Sequence, residues 1–334
     1  MTRMSISEAL NRAHHDIMAA DERSLVIGED IRGGSGVDGG LELGGVFGVT
    51  SGLAAKFGEG RVIDTPISET AFVGMATGAA MTGLKPIVEV MFCDFMGVCF
   101  DQIMNQAAKA RFLSNGRFDL PLTIRTTMGA GDGSGAMHSQ STFGMLASVA
   151  GLTVVCPSTP ADAAGLLKSA VKAKGPTVIM EHKGLYDFAE DVPDELPPVP
   201  IGKGRLMREG TDLTVVAVSA FVHKAVEAAD TLAAEGISVE IIDPRTIKPL
   251  DEAMILASVK KTGRLLVAAE DAAFGGFADQ LTAFVARSAF SSLTAAPVSV
   301  TPPDVPVPYG RKAEAVWLPG VDEILNAART LASA

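Results

Sequence analysis

Short runs rich in Val, Ile, Leu and Thr recur along this chain, separated by stretches of helical pattern. SLVIGED (24–30), RVIDTP (61–66), KPIVEVM (85–91), PLTIRTT (121–127), LTVVCPS (152–158) and PTVIMEH (176–182) each have the length and composition of a buried strand. Between them, ETAFVGMATGAAMTG (69–83), CFDQIMNQAAKARFL (99–113) and PADAAGLLKSAVKA (160–173) predict helices. Upstream, Ser5 with Glu8 predicts a capping box that opens a helix through about Met18. Strands that alternate with helices of this length predict α/β architecture, a parallel sheet with helices on both faces.

DVPDELPPVP (191–200) holds four prolines in ten residues and predicts a linker. Beyond it a second strand–helix series starts, with DLTVVAVSA (212–220), ISVEIIDPRT (237–246), RLLVAAED (264–271) and PVSVTPP (297–303) as strands. The expected organisation is two doubly wound domains, 1–190 and a smaller 205–334, joined by 191–204. At 334 residues, two domains also match the size at which single cores stop growing.

Charge excludes one function class. The net charge is −11 and no Lys/Arg run forms a basic face, so nucleic acid is not the expected partner. Cys93, Cys99 and Cys156 lie in apolar stretches without metal-ligand spacing. Their odd number and the absence of a secretion-type N-terminus predict a reducing, cytoplasmic setting. The uncharged stretch 133–161 is broken by Gly144, Gly151, Pro157 and Pro160, so it does not predict a membrane span.

Two glycine patterns resemble nucleotide-binding motifs. Gly34, Gly36 and Gly39 fit G-x-G-x-x-G, but GGLELGGVFG follows and cannot open the helix that a dinucleotide site needs. Gly131-Asp132-Gly133 is a GDG triplet of the kind that holds magnesium and diphosphate in thiamine-diphosphate enzymes, where an Asn follows 25–30 residues later. Here Asn occurs only at 11, 105, 115 and 326, and without that oxygen ligand a hard cation is poorly held. Both patterns are read as loops.

DTPISETAFVGMATGAAMTGLKPIVEVMF (64–92) carries the most chemical information. A strand ends in Asp-Thr-Pro and a helix starts near Glu69, which puts Glu69 at the carboxyl end of a parallel strand, where open α/β sheets bind ligands. Taken alone, Glu69 is equally a residue that favours a helix N-terminus through the dipole.

With GED (28–30), GGVFGVTSGLAAKFG (44–58), TPISE (65–69), FDQIMNQAAKARF (100–112), HSQS (138–141), AEGISVEIIDPRTIKPLD (234–251) and DVPVPYG (304–310), the chain resembles a known family along nearly its whole length. That family is the beta subunit of the decarboxylating component of pyruvate, branched-chain 2-oxo-acid and acetoin dehydrogenase complexes. The resemblance implies a transketolase-like pyrimidine-binding domain followed by a transketolase-type C-terminal domain. It implies thiamine diphosphate as cofactor, whose thiazolium C–H must lose a proton to the cofactor's own aminopyrimidine. It also implies that Glu69 hydrogen-bonds the pyrimidine ring nitrogen and that Phe95 stacks on the ring. His138 then stands near the reacting carbon, where it positions substrate oxygens or shuttles protons.

The resemblance further implies an alpha partner that supplies the missing magnesium and diphosphate site. The expected assembly is a heterotetramer of two alpha and two beta subunits, docked through the C-terminal domain on a lipoyl acyltransferase core. The reaction implied is decarboxylation of a 2-oxo acid or cleavage of acetoin, with transfer of the acyl group to a lipoyl domain. MGAG (128–131), PSTPADAAGLLKSA (157–170) and EH (181–182) look more like the acetoin-type members. Gly74 and Gly78 match small residues at which helices of neighbouring subunits approach. A family potassium-binding turn corresponds to 170–175, where Ala173 replaces the acidic member. Two other functions share parts of this pattern: a half-chain ketol transferase of transketolase or deoxyxylulose type, and a non-catalytic scaffold. The lipoyl-complex blocks speak against the first, and retention of Glu69, Phe95 and His138 together against the second.

Overall fold

The computed structural model describes residues 1–33 and 44–334. The G-x-G-x-x-G pattern at Gly34, Gly36 and Gly39 therefore lies outside the described residues, as does most of the glycine-rich loop around it. The chain divides into two compact units. One comprises Met1–Met128 with Ala147–Ile201, and the other Gly129–Leu146 with Gly202–Ala334. The stretch Gly129–Leu146, placed by sequence in the first domain, thus groups with the second.

The first unit runs β1 (Thr2–Ser5), α1 (Ile6–Ala20), β2 (Ser24–Gly28), α2 (Leu53–Phe57), β3 (Val62–Asp64), α3 (Glu69–Met81), β4 (Lys85–Phe92), α4 (Ala108–Leu113) and β5 (Thr123–Met128). After the short helix α5 (Phe143–Ala147) come β6 (Thr153–Val155), α6 (Pro160–Ala170), β7 (Thr177–His182) and β8 (Ala189–Val192). Six of these strands lie parallel in the order β6-β7-β5-β4-β2-β3. Every residue of β2, β5 and β7 is buried, as expected of a sheet covered on both faces. β1 pairs antiparallel with β8 in a separate ribbon.

Local chemistry accounts for the helix starts. Ser5 and Glu8 form the expected capping box, Glu8 N–H donating to Ser5 Oγ and Ser5 N–H to Glu8 Oε2. Thr159 caps α6, and Pro160 opens it where its missing N–H costs nothing. The helix expected over 99–113 arrives in two pieces, a π-helical stretch Gln102–Ala107 and then α4. The widened turn faces Gly74, where a Cβ would lie 2.9 Å from Gln102 Oε1.

The proline-rich segment is no free tether. Val199 N–H donates to Gly165 O at 3.0 Å, Ser169 Oγ to Val199 O at 2.6 Å and Lys168 Nζ to Leu196 O at 2.9 Å. Leu196 is buried, so the segment lies along α6.

The second unit continues with β9 (Arg205–Arg208), β10 (Leu213–Ala217), α7 (Ala220–Ala234), β11 (Val239–Asp243), β12 (Thr246–Lys248) and α8 (Glu252–Thr262). It ends with β13 (Leu265–Ala268), α9 (Phe277–Ser288), β14 (Val298–Val300), α10 (Arg311–Trp317) and α11 (Val321–Ala332). Its sheet is ordered β14-β13-β10-β11-β9, parallel except for the β9 edge. Phe221, Ala225 and Leu232 of α7 pack with Ile324, Ala328 and Leu331 of α11 over Val215, Ile241 and Leu266. Among the described residues, no helix is long and apolar enough to cross a membrane.

Candidate active site

In the first unit the chain passes from β2 to β3 on one side and returns to β4 on the other, so a switch point falls beside β2. Open α/β sheets bind ligands outside the carboxyl ends of strands at such points. Three side chains follow three adjacent strand ends. Glu29 comes directly after β2, Glu69 opens the helix after β3, and Phe95 sits in a 3-10 turn, Cys93–Gly97, after β4. The backbone turns sharply there, with Asp30 at φ 56°, a region that residues other than glycine seldom occupy. Thr65 N–H donates to Gly28 O at 2.9 Å and ties the two strand ends together.

Glu69 is 6% exposed. Glu29 accepts from the backbone N–H of Ser68, the residue before α3, so both carboxyls gather at one helix start. Burial, and then the charge of Glu69, push the Glu29 carboxyl above its ordinary range. Burial followed by the Glu69 charge also pushes the Cys99 thiol up to about 12, so it stays protonated. Glu29 Oε1 and Thr65 Oγ1 are buried without hydrogen-bond partners. Orphaned polar atoms beside this pair of acids, Glu69 buried and Glu29 half-buried, fit a polar heterocycle whose ring atoms would complete them. Phe95 is half-buried, its ring 5.6 Å from that of Phe92 in an edge arrangement, and so offers a flat apolar wall. Sequence reasoning missed Glu29 as a partner of Glu69. The available signal was its place, immediately after a buried strand inside GED (28–30).

A second acidic cluster lies within the same sheet. Glu89 on β4 stands opposite Arg125 on β5 in the strand register, and Glu181 is on β7. Arg125 donates to both oxygens of Glu181, at 2.7 and 2.6 Å, and to Glu89 Oε2 at 2.7 Å. Tyr186 donates to Glu181 at 2.8 Å. Burial works against the Arg125 charge, but the two carboxylates outweigh it and hold the guanidinium protonated. His14, also fully buried, has Nδ1 2.7 Å from Leu10 O. Burial first, then Arg125, lower its pKa to about 3.

His138 belongs to the second unit, on a glycine-rich loop. Gly129 N–H donates to Gln140 O at 3.1 Å and closes the loop at its base, while His138 N–H donates to Gly135 O at 3.2 Å. Gly131-Asp132-Gly133 is a loop, as the missing Asn predicts. Glu314, fully buried on α10, accepts from the N–H groups of Gly131 at 2.8 Å, Gly133 at 2.7 Å and Gly135 at 3.3 Å. These amides are already engaged by the chain's own Glu314 carboxyl group. The structure thus brings Glu69 together with the missed Glu29, places Phe95 after the neighbouring strand β4, and carries His138 in the second unit.

Gly74 packs on Gln102 of its own chain, whereas a Cβ at Gly78 would meet nothing within 4 Å. In the turn after α6, Ala173 N–H donates to Ala170 O and Lys174 O accepts from Leu120 N–H, both at 3.0 Å. Among the described residues, no group of three or more His, Cys, Asp or Glu is arranged to hold a metal ion.

Residues 2–188 match the family described as transketolase, pyrimidine binding domain, and residues 202–324 the transketolase C-terminal domain. The chain is 46% identical to the acetoin:2,6-dichlorophenolindophenol oxidoreductase subunit beta of Cupriavidus necator, over 98% of this chain and 97% of that one. It is 40% identical to the pyruvate dehydrogenase E1 component subunit beta of Bacillus subtilis, over 98% of both. A solved split-gene transketolase, described as an inactive beta4 tetramer, superposes with a TM-score of 0.79 at 23% identity. It covers 99% of this chain and 98% of that one, and speaks for the fold alone. The chain belongs to the family that joins a transketolase pyrimidine-binding domain to a transketolase C-terminal domain, among relatives that are beta subunits of acetoin and pyruvate dehydrogenases.

Proposed function

We propose that this chain is the beta subunit of a heteromeric, thiamine-diphosphate-dependent acetoin or 2-oxo-acid dehydrogenase. One observation carries the proposal: two acidic side chains, Glu29 and Glu69, share a helix start at the carboxyl edge of a parallel sheet, and one buried Glu29 oxygen lacks a partner. Glu69 would share a proton with the pyrimidine ring nitrogen of the cofactor, in a water-poor pocket that strengthens the bond. Phe95 would lie against the ring, and Glu29, with its raised affinity for a proton, would keep a proton available beside Glu69. The cofactor supplies the electron sink for carbon–carbon cleavage. His138 would hold substrate oxygens or move a proton at the reacting carbon.

Magnesium and diphosphate would be held by an alpha partner, because the amides of the GDG loop are engaged by Glu314. The assembly would be a heterotetramer of two alpha and two beta subunits on a lipoyl acyltransferase core, with the acyl group passed to a lipoyl domain. Identity to acetoin-type subunits, 46% and 44%, stands a little above the 43% and 40% to pyruvate-type ones and leans toward acetoin.

The test is hydrogen–deuterium exchange at the thiazolium carbon in the reconstituted alpha–beta complex. Glu69→Gln keeps volume and a hydrogen-bonding group but removes the shared proton. Exchange should slow by about 10²–10⁴, the usual cost of one positioned acid/base group, with cofactor affinity changed far less. Exchange at the wild-type rate would make Glu69 a helix-start residue and nothing more.

A further inference from the structure

The glycines at 129, 131, 133 and 135 all have positive φ, at 95°, 124°, 89° and 75°. That conformation, open to glycine without strain, lets alternate backbone amides turn inward. Such a run is intrinsically loose, since glycine gives up more conformational freedom on ordering than any other residue. Two buried carboxylates hold it. Glu270 accepts from Ala130 N–H at 2.6 Å, and Glu314 accepts from the amides of 131, 133 and 135. Around Glu314, Arg311 Nε donates to Asp132 O at 3.2 Å and Gly310 N–H to Gly133 O at 3.3 Å. The loop backbone thus rests on the start of α10 from Asp132 to Gly135. From Gly135 the restraint reaches His138 through one hydrogen bond, and Gln140 closes the far side on Gly129.

We infer that Glu314 is a positioning residue for His138: its carboxylate gathers three loop amides into one shape and so fixes where the imidazole is presented. The inference deepens the proposed function and rests on its reading of His138. A purely structural Glu314 would stabilise the second unit without caring what side chain stands at 138. A positioning Glu314 acts through that side chain.

Glu314→Gln separates the two. The amide has one acceptor oxygen. With it turned toward Gly131 and Gly133, an NH₂ faces the Gly135 N–H, donor against donor, at the residue that holds His138. In the reconstituted complex, turnover of acetoin and of pyruvate should fall about tenfold, with KM changed less than about twofold. Thiazolium exchange should keep its wild-type rate. In a His138→Ala background the same substitution should change turnover by less than about twofold, because the group it positions is gone. In the full chain with ¹³C-labelled histidine, the ring signal of His138, assigned through His138→Ala, should shift in Glu314→Gln while the other four histidines hold still. Should Glu314→Gln not fold, Glu314→Asp, which keeps both oxygens but shortens the reach, carries the same cycle. Equal losses in both backgrounds, or an unmoved His138 signal, would overturn the inference and leave the His138 reading intact. Normal turnover in His138→Ala would overturn both.

Discussion

The first unit holds two acid clusters with opposite electrostatics. Glu89 and Glu181 flank Arg125, which meets three of their four oxygens, and the strand register places Glu89 opposite it. Glu29 and Glu69 face each other's charge at a helix start, where backbone dipoles are the counterweight. The first arrangement has a shared cation that offsets much of its charge. The second stores repulsion that a proton or a ligand would relieve. Burial of a carboxylate therefore says little about its role until the group facing it is named.

That contrast can be broken by removing the cation. Arg125→Met leaves Glu89 and Glu181 without their cation, Glu181 keeping only the Tyr186 hydroxyl, and unfolding in denaturant should show a loss of about 3–5 kcal/mol. A loss under about 1 kcal/mol would mean that packing, and not pairing, holds the cluster.

Next in size is a titration built into the same cluster. His14 has a folded pKa of about 3, below the ordinary 6.5, so the unfolded chain binds its proton first as pH drops. The stability it contributes is complete above pH 6.5 and is lost as pH falls from there toward 3. The slope is about 1.4 kcal/mol per pH unit for this one group. Unfolding curves of wild type and His14→Gln at pH 7, 6 and 5 should diverge increasingly as pH falls, approaching that slope below pH 6, and parallel curves would show that burial and Arg125 do not hold His14 neutral.

The smallest effect belongs to the functional pair. The raised Glu29 pKa means that the folded protein holds this proton more tightly than the unfolded chain does. Its penalty is absent at low pH and grows as pH rises past the ordinary carboxyl range. Glu29→Gln should thus match wild type near pH 4 and exceed it near pH 8, by less than about 1 kcal/mol after solvent screening. Stabilisation that did not change with pH would show that Glu29 and Glu69 do not repel.

What could be read in advance follows how local the cause is. Buried strands, the Ser5–Glu8 capping box and the place of Glu69 after Asp-Thr-Pro depend on neighbours within a few residues, and these were legible. Pairing Arg125 with Glu89 and Glu181 needs the order β4-β5-β7, which periodicity does not supply. Glu314 closes on glycines 179 to 183 residues away, so nothing near it advertises the role. The prolines of 191–200 announced a break in regular structure, but their packing along α6 depends on Gly165 leaving room for Val199 and the Pro197 carbonyl. The π-helical turn at Gln102–Ala107 likewise depends on Gly74 across from it.

The β1–β8 ribbon has a consequence for how the molecule comes into being. Thr2 pairs with Val192 and Ser5 with Ala189, so the opening strand cannot find its mate until nearly the whole first unit has been synthesised. At the usual pace of translation that leaves the apolar face of an amphipathic helix and an unmatched strand waiting for about 10–40 s. During that wait α1 can settle only provisionally, because α6, the helix it packs on most, spans Pro160–Ala170 and also emerges late. A ribosome-bound fragment ending before Ala189 should therefore be the species most in need of a chaperone, and release of Val192 the moment that need ends.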